Sequence, residues 1–235
     1  MNWNQTLSLL LTITLLSAVE GYTQDNRDLN DLGNLKYYQM ANARLPSLSA
    51  GDKRVVFMGN SITEFWFSTD TTFSKGKPYI NRGISGQTSM QMLIRFRQDV
   101  IDLHPELVVI LGGINDIAEN MGPTTPEATR NNIISMTELA QAHDIKVVIC
   151  SVLPAFDFSW HPGLEPAEKI ISLNRLLESY CSENKIPFVD FHTSMADERK
   201  GLKYEYGEDG VHPNLKGYKF MESILEPVMA KALHK

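Results

Sequence analysis

The sequence predicts an α/β fold of three layers, in which a five-stranded parallel sheet lies between two layers of helices. Five short apolar runs recur along the chain, and segments with apolar residues at every third or fourth position separate them. No internal repeat and no interior linker marks a second domain. Continuous apolar runs are typical of strands that are buried on both faces, which is their environment in a parallel sheet covered by helices.

Each predicted strand corresponds to one apolar run. In chain order the runs cover residues 55–58, 79–83, 107–111, 146–152 and 186–191. The first run stops at Gly59-Asn60-Ser61, where small and turn-forming residues allow the backbone to turn sharply towards a helix. Such a turn can hold a serine hydroxyl at the carboxyl edge of the sheet, which is where open α/β folds bind ligands.

Helical periodicity fills the intervals between the strands. The predicted helices cover residues 62–67, 90–100, 126–143, 165–184 and 215–233, and residues 35–48 are expected to pack on the domain edge as a helix or loop. In the helix over residues 90–100 the apolar side chains form one stripe, and Arg95 and Arg97 are predicted to face away from it.

The composition is that of one globular domain. The chain has 235 residues, of which 43% are hydrophobic and 21% charged, so it is long enough to bury a sizeable core. The net charge is -6, and the lysine and arginine residues are scattered. Because nucleic acids are bound through basic patches, this distribution argues against a nucleic-acid partner.

The first residues predict export. Residues 7–19 form an uncharged apolar run that is too short to span a bilayer comfortably, and small residues follow it. We therefore predict a signal peptide over residues 1–21, an N-terminal arm over 22–50 and the folded domain over 51–235, in a periplasmic or secreted protein without stable membrane insertion. An uncleaved anchor is the alternative, because residues 1–5 contain no lysine or arginine.

Cys150 and Cys181 are the only cysteines. Export would permit a disulfide between them, but Cys150 lies within an apolar run, where a cysteine is usually a small buried hydrophobic residue. We therefore expect no bridge. No CxxC motif or Cys/His cluster indicates a metal site.

Several polar residues follow the predicted strands or precede the last helix, and together they supply what acyl transfer needs. A serine nucleophile needs an imidazole to take its proton, the imidazole needs an acid to orient it, and the oxyanion needs hydrogen-bond donors. The candidates are Ser61, Gly86, Asn115, Asp209 and His212. Taken singly, four of them have simpler interpretations, because Ser61 and Asn115 could cap helices and Asp209 and His212 could belong to an ordinary turn and loop.

Four blocks of sequence resemble the successive motifs of the SGNH or GDSL-type serine esterase (acylhydrolase) family. They are residues 59–62 (Gly-Asn-Ser-Ile), 81–89, 113–116 and 209–213, in the family's order across about residues 55–225. The resemblance implies a flavodoxin-like αβα sandwich that hydrolyses esters or thioesters without a metal or organic cofactor. Asn60 departs from the pattern, because most members have Asp at this position.

The resemblance also implies a role for each candidate. Ser61 would be the nucleophile, His212 the general base and then the general acid, and Asp209 the carboxylate that orients the imidazole. The backbone N–H groups of Ser61 and Gly86 and the side-chain amide of Asn115 would form the oxyanion hole.

The predicted function is that of an exported serine esterase acting on small acyl esters, acetyl esters of carbohydrates first. Trp66, Phe156, Trp160 and His161 are expected to line the substrate pocket, although aromatic residues near loops can equally serve only to pack them. Three alternatives share the same residues: a lysophospholipid or platelet-activating-factor-like acylhydrolase, an acyltransferase that uses a sugar hydroxyl instead of water, and a noncatalytic ligand-binding protein on the same fold.

Overall fold

The computed structural model describes residues 31–48, 51 and 53–234. Contacts divide the chain into two units, residues 1–32 and residues 33–235. Only Asp31 and Leu32 of the first unit are among the described residues, and the α/β fold belongs to the second unit. The predicted signal peptide over residues 1–21 and the first part of the arm lie outside the described residues.

A five-stranded sheet forms the centre of this unit, and all of its strand pairs are parallel. The strand order is β2-β1-β3-β4-β5, with helices packed around the sheet. The predicted fold class is therefore confirmed. The strands are β1 (Val55–Gly59), β2 (Tyr79–Gly83), β3 (Leu107–Leu111), β4 (Lys146–Cys150) and β5 (Phe188–Val189).

The described residues contain α1 (Gln39–Ala43), α2 (Ser61–Thr69), α3 (Ser89–Asp99), α4 (Ile114–Ile117), α5 (Pro126–Gln141), α6 (Pro166–Asn184), α7 (His192–Met195) and α8 (Leu215–His234). The short helices α4 and α7 were not predicted. Among the described residues, no helix combines the length and the apolar character needed to cross a membrane.

Strand β5 is shorter than its apolar run, which covers residues 186–191. Pro187 has no N–H to donate, although its carbonyl still accepts a hydrogen bond from Ile149 of β4 (3.1 Å). Beyond the strand, the hydroxyl of Ser151 accepts hydrogen bonds from the backbone N–H groups of Phe191 (2.9 Å) and His192 (3.0 Å). These side-chain bonds replace strand pairing and lead the chain into α7.

The strand register brings three loops to the same edge of the sheet. Gly59, at the end of β1, is paired with Gly83 at the end of β2 and with Leu111 at the end of β3. Ser61, Gly86 and Asn115 follow these three strand ends by only a few residues. Because all strands run in parallel, the loops that carry them leave the sheet side by side.

Candidate active site

The turn after β1 presents Ser61 as the first residue of α2. Asn60 caps this helix, and its side-chain oxygen accepts a hydrogen bond from the Ile62 N–H (3.1 Å). An amide oxygen makes this cap as well as a carboxylate oxygen does, which accounts for Asn60 at a position where Asp is commoner. Gly59 makes the turn possible, because a Cβ there would lie 2.0 Å from the Thr63 hydroxyl oxygen.

The hydroxyl of Ser61 meets the ring of His212. Ser61 Oγ lies 2.9 Å from His212 Nε2, and His212 Nδ1 lies 2.7 Å from Asp209 Oδ2. Since a carboxylate can only accept, Nδ1 carries the ring proton and Nε2 offers its lone pair to the hydroxyl. The structure thus brings the three predicted triad residues into one hydrogen-bonded series.

The loop over residues 209–212 holds the carboxylate beneath the ring. Asp209 Oδ1 accepts hydrogen bonds from the backbone N–H groups of Val211 (2.9 Å) and His212 (2.7 Å). Burial would raise the pKa of Asp209, but the hydrogen bonds from His212 and Val211 outweigh burial and lower it. Asp209 is therefore ionised at neutral pH and fixes the orientation of the imidazole.

The three predicted oxyanion donors follow the ends of β1, β2 and β3, which lie in register at one edge of the sheet. The N–H of Ser61 is the first in α2, so no carbonyl within that helix accepts from it. Gly86 adopts φ +77°, a left-handed conformation that favours glycine, and its carbonyl accepts from the Asn120 side chain (3.1 Å). Asn115 is buried, and its Nδ2 donates one hydrogen to the carbonyl of Gln87 (3.0 Å). An amide nitrogen carries two hydrogens, so the second remains for an incoming oxygen.

Two carboxylates that sequence reasoning did not select hold these donors in place. Glu64, one turn after Ser61, accepts hydrogen bonds from the backbone N–H (2.7 Å) and the hydroxyl of Ser85, next to Gly86. Asp116 is buried and accepts from the backbone N–H (2.8 Å) and the hydroxyl (2.5 Å) of Ser89, which ties α4 to the start of α3. Burial raises the pKa of Asp116, partly offset by these bonds. Both contacts are tertiary, and no spacing in the sequence indicates them.

Three of the four residues predicted to contact substrate lie in the loop between β4 and α6. Trp160 is 46% exposed, its ring centroid lies 6.4 Å from that of His212, and its Nε1 donates to Asn120 (3.3 Å). Phe156 is 50% exposed and lines a groove of about 280 Å³ together with Asp209. The Nδ1–H of His161 donates to the carbonyl of Ala118 (3.0 Å).

The fourth, Trp66, does not fit the expected role in substrate binding. It is 1% exposed and lies in an aromatic cluster of the core, where its ring stacks on Phe73 and on Tyr218 at centroid distances of 5.4 Å. Its Nε1 donates to the carboxylate of Glu222 (3.0 Å). The neighbouring Phe65 faces the site instead, with its ring centroid 5.6 Å from that of His212.

Cys150 and Cys181 are both buried and are not bridged. Burial raises the pKa of Cys181 to about 12, so this thiol stays protonated at neutral pH. Within the described part of the chain, no group of three or more His, Cys, Asp or Glu side chains is arranged to hold a metal ion.

A serine hydroxyl that shares a hydrogen bond with an imidazole oriented by a carboxylate is equipped to attack a carbonyl carbon, as serine hydrolases do. The chain belongs to the GDSL-like lipase/acylhydrolase family, whose model matches residues 57–220. The predicted family is thereby confirmed.

Solved structures from two Bacteroides species are similar along almost their whole length. A GDSL-like lipase from Bacteroides thetaiotaomicron VPI-5482 is 49% identical, with a TM-score of 0.84 over 86% of this chain and 99% of that chain. A proposed acylhydrolase from Bacteroides fragilis NCTC 9343 is 50% identical, with the same TM-score over 86% of this chain and 98% of that chain.

Two curated proteins are more distant. An acetylxylan esterase from Xylanibacter ruminicola is 24% identical over 236 residues, which cover 84% of this chain and 46% of that protein. An uncharacterised lipoprotein, YqeF, from Bacillus subtilis is 29% identical over 96 residues, which cover 39% of this chain and 40% of that protein. The chain therefore spans less than half the length of the curated relatives it matches.

Proposed function

We propose that the protein is an exported serine esterase that removes small acyl groups, acetyl first, from carbohydrate esters. The observation that carries the catalytic part of this proposal is the series of two short hydrogen bonds, 2.9 Å from Ser61 Oγ to His212 Nε2 and 2.7 Å from His212 Nδ1 to Asp209 Oδ2. It supplies a nucleophile, a base and an orienting acid in contact with one another.

The reaction takes place in two halves. Ser61 Oγ attacks the carbonyl carbon of the ester while its proton passes to His212 Nε2, and the imidazolium is stabilised by Asp209. His212 then gives that proton to the leaving oxygen, the ester C–O bond breaks and the alcohol departs, leaving the acyl group on Ser61. A water molecule, deprotonated by His212, attacks the acyl-enzyme, and return of the proton to Ser61 releases the carboxylic acid.

Each half passes through a tetrahedral oxyanion, and three donors face it in this proposal. They are the backbone N–H groups of Ser61 and Gly86 and the second hydrogen of the Asn115 amide. Donors that are already in position stabilise the charge as it forms, and removal of one such donor typically costs about a hundred- to a thousandfold in kcat.

The surface beside His212 supports a carbohydrate as the leaving group. Because His212 protonates the leaving oxygen, the alcohol departs on its side, where Trp160, Phe156 and Tyr204 are 46%, 50% and 76% exposed. Exposed aromatic rings offer flat apolar faces to the C–H groups of a sugar ring. The groove that contains Phe156 and Tyr204 also holds Asp157, Asp197 and Glu208 with one cation, Arg199, which pairs with Asp197 (3.4 Å), so carboxylate acceptors for sugar hydroxyl groups outnumber cations in it.

The relatives support the same substrate class and export. One curated relative is described as an acetylxylan esterase and the other as a lipoprotein. The apolar run over residues 7–19 supports an exported protein as well.

A substrate panel tests the proposal. We expect 4-nitrophenyl acetate to be hydrolysed faster than the butyrate and octanoate esters, and acetylated xylo-oligosaccharides to release acetate while lysophospholipids release no fatty acid. Ser61→Ala is the control and should abolish every activity. Preferred hydrolysis of lysophospholipid would favour the lipid acylhydrolase, and no hydrolysis of any ester would favour the ligand-binding protein. Transfer of acetyl to an added sugar would favour the acyltransferase.

The role of the aromatic groove is tested separately. The double variant Phe156→Ala, Tyr204→Ala should raise KM for the acetylated oligosaccharide by about tenfold, because two stacking faces are lost. It should change kcat/KM for 4-nitrophenyl acetate, which has no sugar, by less than about twofold. Equal effects on both substrates would contradict the assignment of the groove to the sugar.

A further inference from the structure

A buried cation lies beneath the site. Arg95 is fully buried in α3, and this corrects the expectation that it faces away from the apolar stripe of that helix. Periodicity assigned Arg95 to the polar face, but the partners of its guanidinium are inside the domain. Its Nη1 donates to the buried carboxylate of Asp99 (3.1 Å), one turn later in the same helix.

The other two contacts of the guanidinium reach the loops of the site. Nη2 donates to the carbonyl of Gly59 (2.9 Å), and Nε donates to the side-chain oxygen of Gln87 (2.5 Å). Gly59 ends β1, two residues before Ser61, and its carbonyl also accepts from the Ile84 N–H (3.2 Å). One cation therefore binds both the segment that leads to the nucleophile and the loop that carries Gly86.

Gln87 extends these contacts to all three oxyanion donors. It follows Gly86 directly, and its backbone carbonyl accepts the hydrogen bond from the Asn115 amide (3.0 Å). Its side chain is held at both ends, because the carboxamide oxygen accepts from Arg95 and the nitrogen donates to the carbonyl of Gly33 (2.9 Å). A shift of Gln87 would therefore move Gly86 and Asn115 together.

We propose that Arg95 is a positioning residue, which holds Ser61, Gly86 and Asn115 in register for the oxyanion by way of Gly59 and Gln87. This role rests on the proposed function of the same site. Arg95 touches neither the nucleophile nor the substrate. A buried ion pair is weak evidence for stability, since apolar residues of similar volume often stabilise a core as well or better. Burying the charges of Arg95 and Asp99 costs desolvation free energy, and alignment of the oxyanion donors is a functional reason for keeping this pair.

The expected effect is on turnover. Loss of one oxyanion donor costs about a hundred- to a thousandfold in kcat, and a misplaced donor retains part of its effect. We therefore expect disruption of the Arg95–Gln87 contact to lower kcat by about 10- to 100-fold. KM should change by less than about threefold, because the donors act mainly on the transition state.

Three variants and one control separate positioning from folding. Gln87→Met keeps the volume of the side chain and removes both of its hydrogen bonds, whereas Gln87→Glu keeps the acceptor for Arg95. Arg95→Met removes the cation. Phe96→Leu, a fully buried neighbour in α3, is the control that perturbs the same helix and removes none of the hydrogen bonds of Arg95 or Gln87.

The measurements are kcat and KM for 4-nitrophenyl acetate, together with the melting temperature and circular dichroism of each variant. We expect Gln87→Met to lose about 10- to 100-fold in kcat while folded. Gln87→Glu should recover part of this loss, because it keeps the acceptor for Arg95 but has no donor for the Gly33 carbonyl. The double variant Arg95→Met, Gln87→Met should lose less than the product of the single losses. Phe96→Leu should lower the melting temperature and keep kcat within about twofold of wild type.

Two results would overturn the assignment. A folded Gln87→Met with kcat within about twofold of wild type would contradict the positioning role. The role would also be contradicted if Gln87→Met and Phe96→Leu lost kcat to the same extent for the same decrease in melting temperature. If Arg95→Met fails to fold, the Gln87 variants still decide. An inactive wild-type protein would overturn the proposed function itself, and the role with it, so the two failures are distinguished by the wild-type measurement.

Discussion

Replacing Asp209 by asparagine tests the orientation of the catalytic imidazole. The amide oxygen of the new side chain can still accept the two backbone N–H groups that bind Asp209 Oδ1, so the loop is preserved. The amide nitrogen, however, would occupy the position 2.7 Å from His212 Nδ1 and can only donate. The ring is then favoured in the wrong tautomer, with its proton on Nε2 facing Ser61, and the hydroxyl has no base.

The size of the effect follows from exposure. In a buried serine-protease triad the same change lowers kcat by about ten-thousandfold. Here the Asp209 side chain is 51% exposed, so water can compete for Nδ1 and let the ring adopt either tautomer. We therefore expect a loss of about 100- to 1,000-fold in kcat for 4-nitrophenyl acetate, which corresponds to about 3–4 kcal/mol in the activation barrier.

The assay compares kcat of wild type and Asp209→Asn from about pH 6 to 9. Because the pKa of Asp209 is lowered, the carboxylate is ionised over this whole range, and the loss of kcat in the variant should therefore be present at every pH measured. Glu205→Gln is the control for loss of one negative charge nearby in the chain, since Glu205 pairs with Lys216 and not with His212. An Asp209→Asn variant that keeps more than about a fifth of wild-type kcat would refute the reasoning.

Three further changes have defined outcomes. Asn115→Ala removes one oxyanion donor and should lower kcat for 4-nitrophenyl acetate by about 100- to 1,000-fold with little change in KM; unchanged kcat would contradict the role of Asn115. Trp66→Phe loses the hydrogen bond to Glu222 and should lower the free energy of unfolding in urea by about 1–3 kcal/mol, while kcat/KM stays within about twofold. A free-energy loss in kcat/KM that exceeds the loss in unfolding would indicate that Trp66 contacts the substrate. Asp70→Asn should destabilise by about 1–3 kcal/mol at pH 7, because burial raises the pKa of Asp70 but Lys219 and Thr72 lower it further. A carboxylate whose pKa is lowered in the folded state stabilises the fold at pH values above its unfolded pKa, which is about 4. The difference in the free energy of unfolding between wild type and Asp70→Asn should therefore shrink as the pH falls below that value. A difference that stays constant from pH 7 to 3 would contradict this.

The strands could be predicted from sequence because each is an uninterrupted apolar run buried between two layers. All residues of β1 and β3 are buried, and their runs mark them to within a residue. Strand β5 could not be bounded, because Pro187 and the Ser151 hydroxyl determine where its pairing stops, and the second of these is a contact across 40 residues. Local propensity carries no information about such a partner.

The positions of the loops that carry the candidate residues could be predicted from the strands. The buried residues that hold these loops in place, such as Arg95, could not. Ser61, Gly86 and Asn115 follow strand ends, so an all-parallel sheet brings them together once its order is known. By periodicity Arg95 looks like a surface residue. It can be buried because Asp99 and the carbonyl of Gly59 compensate its charge, and only the fold brings that carbonyl to it. The roles of these residues stay predictions until the variants are measured.

The most direct test of the account is covalent labelling of the nucleophile. A fluorophosphonate should modify the wild-type protein once, at Ser61, and abolish ester hydrolysis in step with labelling, while Ser61→Ala should remain unlabelled and inactive. Labelling of a different residue, or ester hydrolysis that survives in Ser61→Ala, would contradict the claim that Ser61, His212 and Asp209 form the catalytic series.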